Sequence, residues 1–404
     1  IYLQEDLGDR SLLNQLESEG QTPAVYSLFR QSLEQLAQLQ VRADAGLDYE
    51  KCLTNREFGR QAILADLLYF KYYFLDTIRK PYDKQKLLND FELLSTYLTE
   101  SEYRFFMFRD FQSRNVMVSA DDNIFFIDFQ GGMKGAPQYD AASMIWQARA
   151  NLPEEWKANL LNEYMAAFAK ELRTPFQQPI FENQYYGYVL IRLLQVLGAY
   201  GFRGLFERKA QFLASIPLAL QNLKTFLQQY SLPVPTPELD KVLQFCAQEE
   251  MIQHFTPPQA TADTPLLVTV TSFSYRKGIP ADEQGNGGGY VFDCRGIDNP
   301  GRLERFQTST GRDKEVKDFL EQETRMPQFL NSIFDIVDIT LEDYLKRNLQ
   351  HLQINFGCTG GQHRSVYAAD ALARHIRNKY KIRVQVTHVE QEAKNWNNTI
   401  RATS

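Results

Sequence analysis

At 404 residues with 44% apolar side chains, the chain is long enough for two or three domains with cores of their own. A net charge of −6 argues against a generic nucleic-acid binder, and that charge is unevenly spread: Leu266 to Ser404 holds 19 Lys and Arg against 17 Asp and Glu, the rest 25 against 33. Cys52, Cys246, Cys294 and Cys358 lie far apart with no disulfide or zinc spacing, no run of 18 apolar residues occurs and no signal peptide opens the chain, so a reducing, cytoplasmic protein away from membranes is expected.

The chain opens at Ile1 within Ile1-Tyr-Leu-Gln-Glu-Asp-Leu-Gly8 and reads as one that starts part-way through a domain. Apolar positions at three- and four-residue spacing predict helices over Tyr26 to Leu39, Arg56 to Thr77 and Lys84 to Thr99. Phe105 to Phe108 reads as a strand, and Val116 to Val118 with Ile124 to Ile127 as a hairpin around Ala120-Asp-Asp-Asn123. Helices are expected again near Tyr139, Glu154, Asn183 and Glu207, the aromatic stripes at Tyr69 to Phe74 and Asn183 to Gly204 being core by their spacing. Residues 256–265, Thr-Pro-Pro-Gln-Ala-Thr-Ala-Asp-Thr-Pro, have the composition of a linker between residues 1–255 and 266–404. Beyond it, strands at Leu266 to Thr271, Tyr290 to Asp293 and Gln353 to Phe356 alternate with helices near Lys314, Met326, Leu341 and Val366, the pattern of an α/β domain.

In the first piece the chemistry sits in Phe108-Arg-Asp-Phe-Gln-Ser-Arg-Asn-Val116 followed by Ile127-Asp-Phe-Gln130. Phosphoryl transfer needs a carboxylate to orient the attacking hydroxyl and oxygen ligands to hold Mg2+ against nucleotide phosphates. Asp110 is placed for the first task, Asn115 and Asp128 for the second. The combined Arg-Asp, Asn five residues on, hairpin, Ile-Asp-Phe is far more specific than any one part. With Gly135-Ala-Pro-Gln-Tyr-Asp-Ala-Ala-Ser143 and a hinge-like Leu3-Gln-Glu-Asp-Leu-Gly-Asp9, it resembles the catalytic lobe of the aminoglycoside phosphotransferase and choline kinase family, nearest the kinases of N-acetylated amino sugars.

That resemblance implies a protein-kinase-like α+β helical C-lobe, ATP as substrate and Mg2+ as cofactor. Phe108 stands where the family has His, and Gln130 where protein kinases have Gly. No glycine-rich loop or Val-Ala-Ile-Lys-like strand precedes Asp110. The nucleotide-clamping N-lobe is therefore expected upstream of Ile1, and these residues alone are expected to bind ATP poorly and to be inactive.

In the second piece, Gly357-Cys-Thr-Gly-Gly-Gln-His-Arg-Ser-Val366 joins a strand to a helix through glycines, the build of an anion-binding nest. Cys358 and Arg364 also have the spacing of a cysteine-dependent phosphatase, in which the thiolate is nucleophile and the arginine grips phosphate; Gly357 departs from the His common there, and no acid stands out. His363 is either a ligand contact or a helix-start cap. Gly285-Asn-Gly-Gly-Gly289 reads as a flexible loop, and His254, His351, His375 and His388 lack acid or cysteine companions at ligand spacing.

With Thr271-Ser-Phe-Ser-Tyr-Arg-Lys-Gly-Ile-Pro280, Tyr290-Val-Phe-Asp-Cys-Arg295, Asn299-Pro300 and Thr310-Gly-Arg-Asp313, this loop resembles the C-terminal domain of the RapZ family over about Leu266 to Trp396. Members of that family sense glucosamine-6-phosphate and bind small RNA through this region. What carries over is a candidate phosphate loop, Gly360, Gly361, Gln362, His363, Arg364 and Ser365, with Arg276, Lys277 and Arg295 beside it. The near-neutral charge of the piece gives an RNA partner only a thin electrostatic footprint. The expected whole is a sugar kinase with an α/β domain that senses an amino-sugar phosphate through its glycine-rich loop. The alternatives are a non-catalytic regulator binding a sugar phosphate or RNA, and a phosphatase using Cys358 and Arg364.

Overall fold

The computed structural model describes residues 5–53, 55–100, 103–207, 209–282, 284–285 and 288–393. They form two compact units, one from residues 1–207 with 211–255, the other from 208–210 with 256–404.

The first unit is mainly helical. In chain order come α1 (Leu12–Glu19), α2 (Pro23–Asp44), α3 (Arg60–Phe70), α4 (Asp76–Ile78), α5 (Lys84–Thr99), β1 (Phe105–Met107), β2 (Val116–Val118), β3 (Ile124–Phe126), β4 (Met133–Gly135) and α6 (Gln138–Ile145). Then follow α7 (Glu154–Glu171), α8 (Gln178–Tyr200), α9 (Ala210–Leu213), α10 (Ile216–Gln229), α11 (Pro237–Cys246) and α12 (Glu249–Phe255). Helix starts are locally encoded: Thr22 accepts from Val25 N–H ahead of Pro23, and Asp83 accepts from both Gln85 and Lys86 N–H. The hairpin β2–β3 pairs Val116 with Phe126 and Val118 with Ile124, around the expected turn. β4, absent from the sequence reading, pairs antiparallel with β1. Where one helix is expected near Glu207, the chain instead leaves a π-helical turn at Phe206 and re-enters helix at α9 and α10.

α8 is the spine of this unit. With the π turn that follows, Gln178–Phe206 is long and apolar enough by composition to cross a membrane. In the fold Phe181, Tyr185, Val189, Leu193 and Leu197 are core, packed against other helices of the unit. Its glycines let backbones meet: a Cβ at Gly198 would lie 2.9 Å from Phe70 N, and one at Gly201 2.1 Å from Tyr73 O. That approach joins two π-helical turns, Lys71–Leu75 and Gly201–Phe206, and π turns often mark functional segments.

The second unit is a parallel sheet in the order β6-β7-β5-β8, from β5 (Leu267–Ser274), β6 (Tyr290–Asp293), β7 (His351–Cys358) and β8 (Arg383–His388). β8 is missing from the sequence reading. The helices are α13 (Lys314–Gln322), α14 (Met326–Lys346), α15 (Arg364–Tyr380) and α16 (Val389–Ala393). The two helices expected near Met326 and Leu341 are one, because Leu330, Ile333, Val337 and Leu341 keep a single buried stripe. Part of 285–289 lies outside the described residues; Gly285 and Gly288 have φ of 71° and 110°, backbone that favours glycine. The segment 256–265 has no helix or strand, yet Ala260 N–H donates to Tyr380 O at 2.7 Å, so part of it is tied to this unit.

Replacing Gly201 by Ala puts a methyl group on the Tyr73 carbonyl. We expect Gly201→Ala to cost about 1–3 kcal/mol in denaturant unfolding, and Gly46→Ala, where nothing lies within 4 Å, to stay within about 0.5 kcal/mol.

Candidate functional site

The first unit's site begins with a buried carboxylate. Asp140, in the first turn of α6 and wholly buried, accepts Phe108 N–H at 2.6 Å, Arg109 N–H at 2.9 Å and Gln40 Nε2 at 3.0 Å. Burial nevertheless pushes its pKa up to about 6, against the pull of those donors. Arg109 sits at φ 78°, an unfavourable conformation for a side chain of its bulk. It is held there by Asp140, by two contacts of its Nη2 with Asp66 at 2.9 and 3.0 Å, and by its guanidinium stacking 4.4 Å above the Phe58 ring. This turn presents Asp110. Phe108, in the family's His position, is 1% exposed and packs edge-on against Phe111 and Phe126, so apolar contact supports the loop here.

Asp110, Asn115 and Asp128 come together. Asn115 Nδ2 donates to Asp110 O at 3.0 Å and lies 3.4 Å from both the Asp110 and Asp128 Oδ2 atoms. Asp128 is exposed, at φ 68°, with Gln130 Nε2 on its Oδ1 at 2.6 Å. Burial works to raise the pKa of Asp110, but the guanidiniums of Arg192 (3.1 Å) and Arg114 (2.9 Å) outweigh it and hold the carboxylate below its ordinary range. Asp110 opens on a cleft of about 510 Å³ that also reaches Gln147, Gln195, Tyr200 and Arg203. Asp140, Asp66 and Arg192 were assigned no role from sequence. Arg192 left a signal, a lone charge inside Val189-Leu-Ile-Arg-Leu-Leu194; Asp66 and Asp140 find their partners only through the fold.

In the second unit the candidate residues gather at the carboxyl ends of the strands. The chain leaves β5 toward β6 and β7 toward β8, in opposite directions along the sheet, so the crevice between β5 and β7 is a topological switch point, where open α/β sheets bind ligands. Arg276 and Lys277 follow β5, Arg295 follows β6, and Thr359 to Ser365 follow β7. Gly361 turns the loop at φ 64° with its would-be Cβ 2.4 Å from Glu390 Cγ, so only glycine fits. Cys358 is 3% exposed; its Sγ accepts Gly361 N–H at 3.2 Å and lies 3.2 Å from Ser365 Oγ.

The loop's larger side chains serve as ties. Gln362 Nε2 donates to Gln307 O and Ser309 O, both at 2.9 Å, and His363 Nε2 meets Phe306 O at 2.8 Å. Burial lowers the pKa of His363, which stands at the helix start without capping it. Arg364 is buried, with Nη1 on Ile297 O at 2.7 Å and Arg295 O at 3.3 Å. Its Nε, Glu390 Oε1 and Gln391 Nε2 are buried without a hydrogen-bond partner. Exposed around them are Thr359, Gly360, Arg276, Lys277 (3.0 Å from Glu390) and Arg295, which pairs with Asp293 and stacks 4.0 Å over Tyr275.

Two histidines read as lacking acid companions have them in the fold. His375 Nε2 lies 2.7 Å from Asp338, and His388 Nε2 lies 3.1 Å from Asp370 while its Nδ1 meets Ser272 Oγ at 2.8 Å. Burial opposes ionisation of Asp370, but His388 and Arg312 bring it down to about 2. Ser272 is fully buried, so this chain of contacts braces β5 against β8 and α15 and offers no nucleophile to substrate.

Residues 1–175 match the phosphotransferase enzyme family and residues 266–392 match the RapZ C-terminal domain. The chain thus carries a phosphotransferase-family region followed by a RapZ C-terminal domain. Curated relatives named nucleotide-binding protein include those of Shewanella halifaxensis (38% identity, covering 32% of this chain and 43% of the relative) and Endomicrobium trichonymphae (37%, 30% and 41%). This chain therefore spans less than half the length of either relative. Among solved structures, the choline kinase of Cryptosporidium parvum Iowa II aligns with 60% of this chain and 73% of its own at 14% identity and a TM-score of 0.37.

Asp140 is the group on which the first site hangs. Asp140→Ala strips the acceptor from two backbone amides and Gln40 Nε2. We expect it to destabilise the first unit by about 2–5 kcal/mol in denaturant unfolding, with Asp140→Asn, which keeps one acceptor oxygen, falling between it and the parent.

Proposed function

We propose that the first unit transfers the γ-phosphoryl group of ATP to a hydroxyl of an N-acylated amino sugar. The observation that carries this reading is the convergence of Asp110, Asn115 and Asp128, with Asp110 lining a cleft that has room for a monosaccharide. In the transfer, the acceptor oxygen bonds to the γ-phosphorus and the bond to the bridging oxygen of ADP breaks. Asp110 orients the hydroxyl and takes its proton.

Among the described residues no three His, Cys, Asp or Glu form a metal cluster. One exposed carboxylate and one amide oxygen are hard donors that suit Mg2+, which typically takes its remaining ligands from phosphates and water. Asn115 and Asp128 are the residues that would hold it. When bound, Mg2+ supplies charge neutralisation between the phosphates. The family match over residues 1–175 supports ATP chemistry of this class, and the four free cysteines suit a cytoplasmic setting.

For the second unit we propose that the crevice at the switch point binds an amino-sugar phosphate without cleaving it. Glycine backbone, exposed Arg276 and Lys277 and unpartnered buried donors support a phosphate there. The phosphatase reading is not adopted, because Cys358 is buried behind Gly361 N–H and Arg364 Nη1 is engaged by two carbonyls.

In the full-length protein, Asp110→Asn should lower kcat with ATP and an N-acetylhexosamine by on the order of 10²-fold or more while acceptor affinity changes little, and Asp128→Ala should remove Mg2+-dependent nucleotide binding. Activity of Asp110→Asn within about threefold of the parent would overturn the assignment. For the loop, titrating glucosamine-6-phosphate into parent and Arg276→Ala/Lys277→Ala should show a loss of roughly tenfold or more in affinity, as expected for lost charge-assisted contacts. Phosphate-ester hydrolysis that disappears in Cys358→Ser would reinstate the phosphatase.

A further inference from the structure

The walls of the cleft in front of Asp110 carry a charge pattern that its proposed chemistry does not require. Arg109, Arg114, Arg192 and Arg203 all line it, and among the described lining residues Asp110 is the one carboxylate. Arg109 is matched by Asp66, which lies behind the cleft wall. Arg114 and Arg192 share the single Asp110 carboxylate, each through one Nη2. Arg203, its side chain half exposed, stands 3.8 Å from Glu207 and 5.7 Å from the Phe212 ring.

Three guanidiniums therefore line the cleft around one catalytic carboxylate, with Glu207 3.8 Å from Arg203 outside the lining. Each guanidinium has five N–H donors in a fixed fork, so most of their capacity is unspent on Asp110. Arg192 is the informative member. It is 6% exposed and anchored by Gln195 at 2.8 Å and Tyr139 at 3.4 Å, so its charge is held away from the hydration of bulk water. Burying a cation in a wall beside a base that must accept a proton costs stability and depresses that base, unless the charge meets a partner during binding. The remaining polar lining, Gln112, Ser143, Gln147, Gln195 and Tyr200, is uncharged and suits hydroxyls and amides.

We infer that the acceptor carries an acid group, a carboxylate or a phosphate, near the hydroxyl it presents to Asp110, and that Arg114, Arg192 and Arg203 receive it. This rests on the phosphotransferase reading and narrows it. The incoming anion takes N–H donors away from Asp110, so the carboxylate becomes a better base only when the right acceptor is seated. A neutral acceptor leaves both guanidiniums on Asp110. An acceptor with a protonated amine adds a fourth cation to the cleft. Arg203 is a specificity residue in this scheme, placed at the cleft by the π turn that Gly201 makes possible.

The test is equilibrium binding without nucleotide, using one sugar ring in three charge states: glucosamine, N-acetylglucosamine and N-acetylglucosaminuronic acid. The acid should bind about tenfold or more tightly than the neutral sugar, glucosamine should bind weakest, and the preference should shrink as salt rises. In Arg203→Gln, whose folding is checked by thermal unfolding, the acid-to-neutral affinity ratio should fall about fivefold or more. Equal binding of the three sugars, strongest binding of glucosamine, or no binding of any would overturn the inference. Phosphoryl transfer from ATP is measured separately, on the full-length protein. Acid-selective binding without transfer to any acceptor would sink the phosphotransferase reading and leave the anion site standing. Transfer to neutral and acid sugars alike, with equal affinities, would do the reverse.

Discussion

The first site depends on one buried carboxylate bound to two successive backbone amides. Asp140 reaches from the start of α6 to Phe108 N–H and Arg109 N–H, and with Gln40 it spends both of its oxygens. The loop it holds is strained at Arg109, which has positive φ without being glycine, as does Asp128 in the neighbouring segment after β3. Such a conformation persists only where several contacts agree on it. Here the agreement comes from Asp140 on the backbone, Asp66 on the Arg109 side chain, and the ring of Phe58 beneath the guanidinium. Desolvation raises the Asp140 pKa to about 6, so part of the cost of the arrangement sits on the carboxylate that organises it.

The neighbouring carboxylate has the opposite balance. Asp110 is less deeply placed and has two guanidiniums against it, and its pKa falls where that of Asp140 rises. Two acids thirty residues apart in the chain thus divide into a structural group and a reactive one by surroundings alone. Hydrogen bonds from neutral amides hold Asp140 without imposing charge, whereas the arginines about Asp110 impose charge that a ligand can compete for.

Much of this was legible in the sequence, for reasons that differ by element. The hairpin β2–β3 could be read because two short apolar runs of Val, Met, Ile and Phe flank a polar turn, and Asp122 takes the positive φ that such a turn demands. Asp110 and Asn115 could be read from their five-residue spacing, and Asp128 because that hairpin sets its distance from Asn115. β4 could not, since three residues leave too little pattern and their pairing with β1 is a long-range matter. β8 carried a clear alternation in Arg383-Val-Gln-Val-Thr but stands only two residues beyond α15, whose helical stripe masks it. α14 is one helix where the sequence suggests two, since no breaker separates Leu330 from Leu341. The acid partners of His375 and His388 were out of reach, because Asp338 and Asp370 reach them across helix and sheet and not along the chain.

The two units solve the same local problem with different residues. Each must turn the chain sharply at the end of a strand to present polar groups, and each uses left-handed backbone to do it. In the second unit Gly361 takes φ 64° without strain, and the space a side chain would need is filled by Glu390. The loop is then fastened by its own large side chains: Gln362, His363 and Arg364 bind carbonyls of residues 295–309, and what remains on the surface is backbone and small residues. In the first unit the same conformation falls on Arg109 and Asp128, and the fastening comes from outside the loop. A loop that offers its backbone to an anion can put its side chains to structural use, while one that offers carboxylates must be held by others. The glycines of one loop and the strained residues of the other follow from which part of the residue, amide or side chain, is left for the ligand.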